Sequence, residues 1–256
     1  MSYTIALAGK GGVGKTTTCG LIIDYLCKSG KGPILAVDAD ANSNLNEVLG
    51  EEVETTIGDI REAITRSEME EVNPIPKGMT KQEYANVKFN NALIESDDYD
   101  MLVMGRTQGQ GCYCYVNGVL KTQIDKFSSS YKYVVVDNEA GMEHISRGVL
   151  PGVDTILLVS DCSRRGIQAA ARIKDLIKSL NLKPKQVKLI VNRAPDGVLN
   201  EGLQEEIARY DFDLAGVIPQ DTSVYEYDSD GRPIVDLPDD GPVKKAVAEI
   251  MASLGL

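Results

Sequence analysis

The sequence is 256 residues long and carries 38 acidic against 27 basic side chains, a net charge of −11. That balance argues against an electrostatic surface for DNA, RNA or anionic membrane, and no apolar run reaches the roughly 18 residues that a membrane span needs. Five cysteines are an odd number, which suits free or metal-bound thiols in a reducing compartment better than a disulfide framework. With no Pro/Gly/Ser-rich linker, no repeat and no apolar leader before the first strand, the expectation is one α/β domain over residues 1–256, in the cytoplasm.

In chain order, Tyr3 to Ala8 is an apolar run that predicts a buried strand. Directly after it, Gly9-Lys10-Gly11-Gly12-Val13-Gly14-Lys15-Thr16-Thr17 places Gly9, Gly14, Lys15 and Thr16 at the G-x-x-x-x-G-K-T spacing of a P-loop. Small residues there let successive backbone N–H groups turn toward phosphate oxygens. Lys15 adds a charge for the β- and γ-phosphates, Thr16 a hydroxyl for Mg²⁺, and the N-terminus of the following helix faces the anion. Leu21, Ile22, Tyr25 and Leu26 share one face of that helix, predicted over Thr16 to Lys28.

Pro33 to Val37 predicts a second strand closing on Asp38-Ala39-Asp40, which puts both carboxylates at its carboxyl end, where open α/β sheets bind ligands. Aspartate is equally a helix-capping residue, and Ser43 to Leu49 reads as a short helix. From Glu51 to Ser96 the pattern weakens: Ile57 to Ile64 suits a helix, Asn73-Pro74-Ile75-Pro76 breaks any regular element, and no chemistry is assignable. Tyr99 to Met104 predicts a strand, followed by Gly105 and a helical stretch to Phe127 that begins near Cys112-Tyr113-Cys114. Two thiolates are half of a soft-metal site. On a two-fold axis, Cys112 and Cys114 of two chains supply the four sulfurs that suit Zn²⁺ and also hold Ni²⁺. Two unrelated buried thiols are the competing reading of a lone C-x-C.

Tyr133 to Val136 is an apolar strand closed by Asp137, a Walker B arrangement in which the carboxylate fixes waters on Mg²⁺. Asn138-Glu139-Ala140-Gly141 follows, and His144, the one histidine, reads as a structural residue. Thr155 to Ser160, Val187 to Val191 and Leu214 to Ile218 predict further strands, with a helix over Arg164 to Leu180 after the first of them. Val243, Val247, Ile250, Met251 and Leu254 form a stripe that suits a final helix closing the core. This β–α alternation predicts a doubly wound, mostly parallel sheet with helices on both faces.

The string from Gly9 to Thr17, with a second lysine at Lys10, resembles the deviant Walker A signature of the MinD/ParA/nitrogenase-iron-protein superclass of ATPases. The resemblance implies ATP, ADP and Mg²⁺ as ligands and a homodimer in which Lys10 reaches the partner's nucleotide. It implies that Asp38 orients the attacking water or takes its proton and that the Gly141 amide senses the γ-phosphate. It further implies that Asn192 and Arg193 read adenine, with Pro219, Gln220 and Asp221 across the base. An asparagine amide offers both donor and acceptor for this, and the guanine-reading N-K-x-D string of GTPases is missing.

Taken with Cys112-Tyr113-Cys114, the resemblance narrows to the CooC-type ATPases. It then implies an ATP-hydrolysing metallochaperone that carries Ni²⁺ or Zn²⁺ on the cysteines of two subunits and assists nickel insertion into carbon monoxide dehydrogenase. Two other readings stand beside it. One is an iron-protein-like reductase whose dimer holds a [4Fe–4S] cluster on four thiolates; the other is a ParA- or MinD-like positioning ATPase.

Overall fold

A computed structural model describes residues 2–40, 42, 44–69, 75–105, 125–139 and 152–256. The strands are β1 (Tyr3–Gly9), β2 (Ile34–Ala39), β3 (Ile94–Glu95), β4 (Asp100–Val103), β5 (Tyr133–Asn138), β6 (Thr155–Asp161), β7 (Gln186–Ala194) and β8 (Leu214–Pro219). They form one sheet in the order β3-β4-β2-β5-β1-β6-β7-β8. Only the β3–β4 pair within it is antiparallel. β1 lies in the middle, between β5 and β6, so the loop that leaves it opens at the centre of the sheet's carboxyl edge.

The near-continuous apolar character of the inner strands follows from burial on both faces. In β1 the alternation is clean. Ala6 and Ala8 pack toward α3 (Ile57–Met69), α4 (Lys81–Asn91), α5 (Arg164–Ser179) and α6 (Glu201–Arg209). Ile5 and Leu7 pack toward α1 (Lys15–Lys28), α2 (Leu45–Leu49) and α8 (Pro242–Ser253). The carboxyl-terminal stripe is spent on this second face: Val243, Val247, Ile250 and Met251 are buried against the sheet and α1.

Residues 51–96 hold more regular structure than their sequence pattern suggests. α3 runs beyond Ile64 to Met69, and α4 is a helix that apolar periodicity alone does not reveal. Its start is encoded instead by Thr80-Lys81-Gln82-Glu83. The Thr80 hydroxyl accepts from the Glu83 N–H at 3.2 Å while the Glu83 carboxylate accepts from the Thr80 N–H at 2.8 Å, a reciprocal capping box.

Candidate functional site

The sheet brings the motifs together at its carboxyl edge. The P-loop leaves β1 and enters α1, turning through left-handed backbone at Gly12 (φ 78°) and Gly14 (φ 89°). At Gly14 the requirement is double, because a Cβ there would also lie 2.3 Å from Asn192 Nδ2. Lys15 is 7% exposed, and its ammonium donates to the Lys10 carbonyl at 3.4 Å, which holds it across the loop; Lys10 is itself exposed. The Thr18 hydroxyl donates to the Gly14 carbonyl at 2.8 Å and secures the first turn of α1.

Parallel pairing of β2 with β5 sets Asp38 opposite Asp137 in register, at 0% and 1% exposure. Both oxygens of Asp38 face backbone donors: one accepts from the Asp40 N–H and the other from the Leu45 N–H, each at 3.0 Å. The first N–H of α2, that of Leu45, is thus met by Asp38, and Asp40 accepts from the Asn42 N–H at 2.8 Å in a tight turn. Burial pushes Asp38 up to about 6, against the opposing pull of those N–H bonds.

Asp137 is pushed up to about 7, chiefly by burial; a hydrogen bond from Thr16 and the charge of Lys15 pull it down while Asp38 raises it. Its Oδ1 is buried with no hydrogen-bond partner among the described residues. A buried, unpartnered carboxylate oxygen beside the Thr16 hydroxyl is a donor set that fits a hard divalent cation. Cys19 is buried beneath the site, and its thiol is raised well above the ordinary value by burial and then by the charges of Asp137 and Asp38. Among the described residues no group of three or more His, Cys, Asp or Glu is arranged to hold a metal. Cys112, Cys114, Gly141 and His144 lie outside the described residues.

On the other side of β1, Asn192 and Arg193 belong to β7, which continues past the predicted end at Val191 to Ala194. Asn192 Nδ2 donates to the Val13 carbonyl at 2.9 Å, and Arg193 Nη1 donates to the Gly12 carbonyl at 3.0 Å. Both therefore brace the P-loop from the side. The Asn192 Oδ1 accepts from the Arg193 N–H at 2.8 Å, and Arg193 takes φ 56° to make that turn. Pro219 pairs with Ala194 across β7 and β8, and the Asp221 carboxylate caps α7 (Thr222–Ser229), accepting from the Ser223 N–H at 2.9 Å.

Asn192, Arg193, Pro219 and Asp221 share a cleft of about 440 Å³ whose outer lip is Tyr225, 71% exposed. A second cleft of about 970 Å³ covers Gly11, Gly12, Gly14, Lys15, Thr16 and Glu139. Thr17, Arg193 and Asp228 line both, so the two adjoin, one fit for a polyphosphate and the other for a planar base. The far wall, with Asp228, Arg232 and Pro233, is not evident from the sequence, because nothing in its spacing places residue 230 near residue 15.

A central parallel strand, a P-loop into α1 and two acidic strand ends define a P-loop nucleotide-binding protein. The AAA domain family matches residues 2–192, and the chain belongs to that family of P-loop ATPases, in the MinD/ParA-like superfamily. It is 43% identical to an uncharacterized ATP-binding protein of Methanocaldococcus jannaschii over 96% of both chains. It is 29% identical to the carbon monoxide dehydrogenase accessory protein CooC of Rhodospirillum rubrum, over 91% of this chain and 89% of that protein. Among solved structures, MinD of Pyrococcus horikoshii complexed with Mg-ADP superposes with a TM-score of 0.71 at 18% identity, covering 99% of this chain and 96% of that one. That likeness is one of fold: the sheet is the doubly wound, mostly parallel one expected from the sequence.

Proposed function

We propose that this ATPase is a nucleotide-driven homodimer of the CooC kind, carrying Ni²⁺ or Zn²⁺ on Cys112 and Cys114 of two subunits and assisting nickel insertion into a carbon monoxide dehydrogenase. The nucleotide half of the proposal is carried by one observation: an Asp137 oxygen beside Thr16 that no described residue partners, at the mouth of a P-loop whose cleft adjoins a base-sized one. The metal half is supported by the Cys112-Tyr113-Cys114 string and by similarity to CooC along nearly the whole chain.

In this reading Gly9 and Gly11 to Thr17 wrap the phosphates of ATP or ADP, with Lys15 neutralising charge at the β- and γ-positions. Thr16 and Asp137 would hold Mg²⁺, which when bound would neutralise phosphate charge. Asn192, Arg193, Pro219 and Asp221 surround adenine. Asp38, which grips the loop from Asp40 to Leu45 through both oxygens, gives up one of those bonds to orient the attacking water. Lys10, exposed at the tip of the loop, contacts the partner's nucleotide. Hydrolysis reopens the dimer and frees the metal for the client, within one ATPase domain working in the cytoplasm without DNA or membrane.

Anaerobic titration of Ni²⁺ and Zn²⁺ into the wild-type chain and a C112S/C114S variant tests this. One metal per two chains is expected for the wild type and none for the variant, with ADP binding the same in both. Unchanged metal stoichiometry in the variant, or iron and sulfide in place of nickel, overturns the carrier reading.

A further inference from the structure

Arg232 stands in the wall of the larger cleft that faces the P-loop, on the stretch that follows α7. Its backbone is fixed: the Arg232 N–H donates to the Tyr227 carbonyl at 2.8 Å, and Pro233 behind it packs against Gly50, where a Cβ would lie 2.8 Å from Pro233 Cγ. Its side chain is also held, with the guanidinium carbon 3.7 Å from the centre of the Tyr227 ring. A guanidinium stacked this closely has already lost much of the rotamer freedom that an anion would otherwise have to remove.

Its charge meets no acidic partner among the described residues, although Asp228 lies one helical turn earlier on the same wall. Other arginines contrast with this. Arg164 and Arg209 are spent on Glu206, and Arg193 donates to the P-loop. Asp228 and Thr17 line both clefts and so mark where a phosphate chain passes into its sugar and base. Arg232 lines the phosphate cleft and not the base cleft, on the phosphate side of that crossing.

We infer that Arg232, presented by the ring of Tyr227, is a phosphate-binding residue supplied by the chain itself, gripping the sugar-proximal phosphate of the bound nucleotide opposite Thr17. The inference rests on the nucleotide site proposed above and adds to it a cation from outside the P-loop. A planar fork suits this role because it can meet two phosphate oxygens at once. Tyr227 positions it and does not touch the nucleotide.

Calorimetric ADP titrations of the wild type, R232Q, R232K and Y227L test the assignment, with thermal melting of each free chain as a control for folding. R232Q is expected to bind ADP about tenfold more weakly, as for loss of one charge-assisted bond. R232K is expected to recover part of the loss, and Y227L to lose severalfold. The R232Q deficit should also shrink at high salt, since a phosphate contact is screened. R232Q binding ADP as tightly as the wild type, with an unchanged melting temperature, overturns the role of Arg232 and leaves the nucleotide site standing. Failure of the wild type itself to bind ADP overturns the site. An equal loss in R232Q and R232K that does not change with salt makes the effect one of local packing and also overturns the assignment.

Discussion

Asp38 and Asp137 face each other in register at the ends of adjacent strands, both buried, one with each oxygen accepting from a backbone N–H and the other with an oxygen that no described residue satisfies. Two carboxylates so placed lower the stability of the nucleotide-free chain, because burial and mutual repulsion oppose their charge. The protein carries that cost at the point where a divalent cation would relieve it. D137N should therefore raise the melting temperature of the free chain by about 2–4 °C, while lowering Mg-dependent ATP hydrolysis by about two orders of magnitude. Scanning calorimetry and phosphate release on the same sample check both. A variant that melts lower than wild type contradicts the strain argument.

The P-loop is braced by β7 as well as by its own turn. G14A forces a side chain into left-handed backbone and onto the Asn192 amide, 2.3 Å away, so ATP binding should fall more than about a hundredfold. N192A removes one donor to the Val13 carbonyl and should cost nearer tenfold. Because the backbone strain remains, G14A/N192A should not recover the N192A affinity. Equilibrium binding of a fluorescent ATP analogue separates the three.

Helices α1 and α2 approach closely at Gly20, where a Cβ would meet Val48 Cγ1 at 2.3 Å. G20A should destabilise the chain by about 1–3 kcal/mol through overpacking, and V48A introduced beside it should restore part of that. Urea unfolding of the two variants and their combination gives the coupling directly.

Glu206 joins α5 to α6. It accepts from Gln168 Nε2 at 3.0 Å and pairs with Arg164 and Arg209 at 3.2 and 3.1 Å. The Gln168 bond first, and then Arg164 and Arg209, hold its carboxyl below the ordinary value of 4.5. A carboxyl lowered on folding stabilises above its unfolded value and loses that contribution as pH falls through the folded one. Melting temperature should thus drop more between pH 6 and pH 3 for the wild type than for E206Q. Parallel curves would show the network to be inert.

Most of the sheet is legible in the sequence because buried parallel strands are apolar runs that end where chemistry begins. Tyr133 to Asp137 shows this, and so does Tyr3 to Gly9. Periodicity fails for α4, whose apolar face is only Tyr84, Ala85 and Phe89; its capping box was the readable signal. The roles within the site are less readable than its membership. Both aspartates of Asp38-Ala39-Asp40 are candidates for capping α2, and only the fold shows that Asp38 reaches the Leu45 N–H at its start. Asn192 suits a base-reading residue by type, yet its amide also supports the P-loop, a contact 179 residues distant in sequence. The wall with Asp228 and Arg232 has no local signature, since packing such as that of Gly50 on Pro233 brings it to the P-loop from far along the chain.

The central claim is that one dimer joins two nucleotide sites and one metal. Native mass spectrometry of the anaerobic protein with Ni²⁺, Mg²⁺ and a non-hydrolysable ATP analogue tests it most directly. The account predicts a mass of two chains, two nucleotides and one nickel, falling to a single chain without nickel in K10A. A nucleotide-bound monomer in the wild type, or a dimer that keeps its nickel after C112S/C114S substitution, would contradict it.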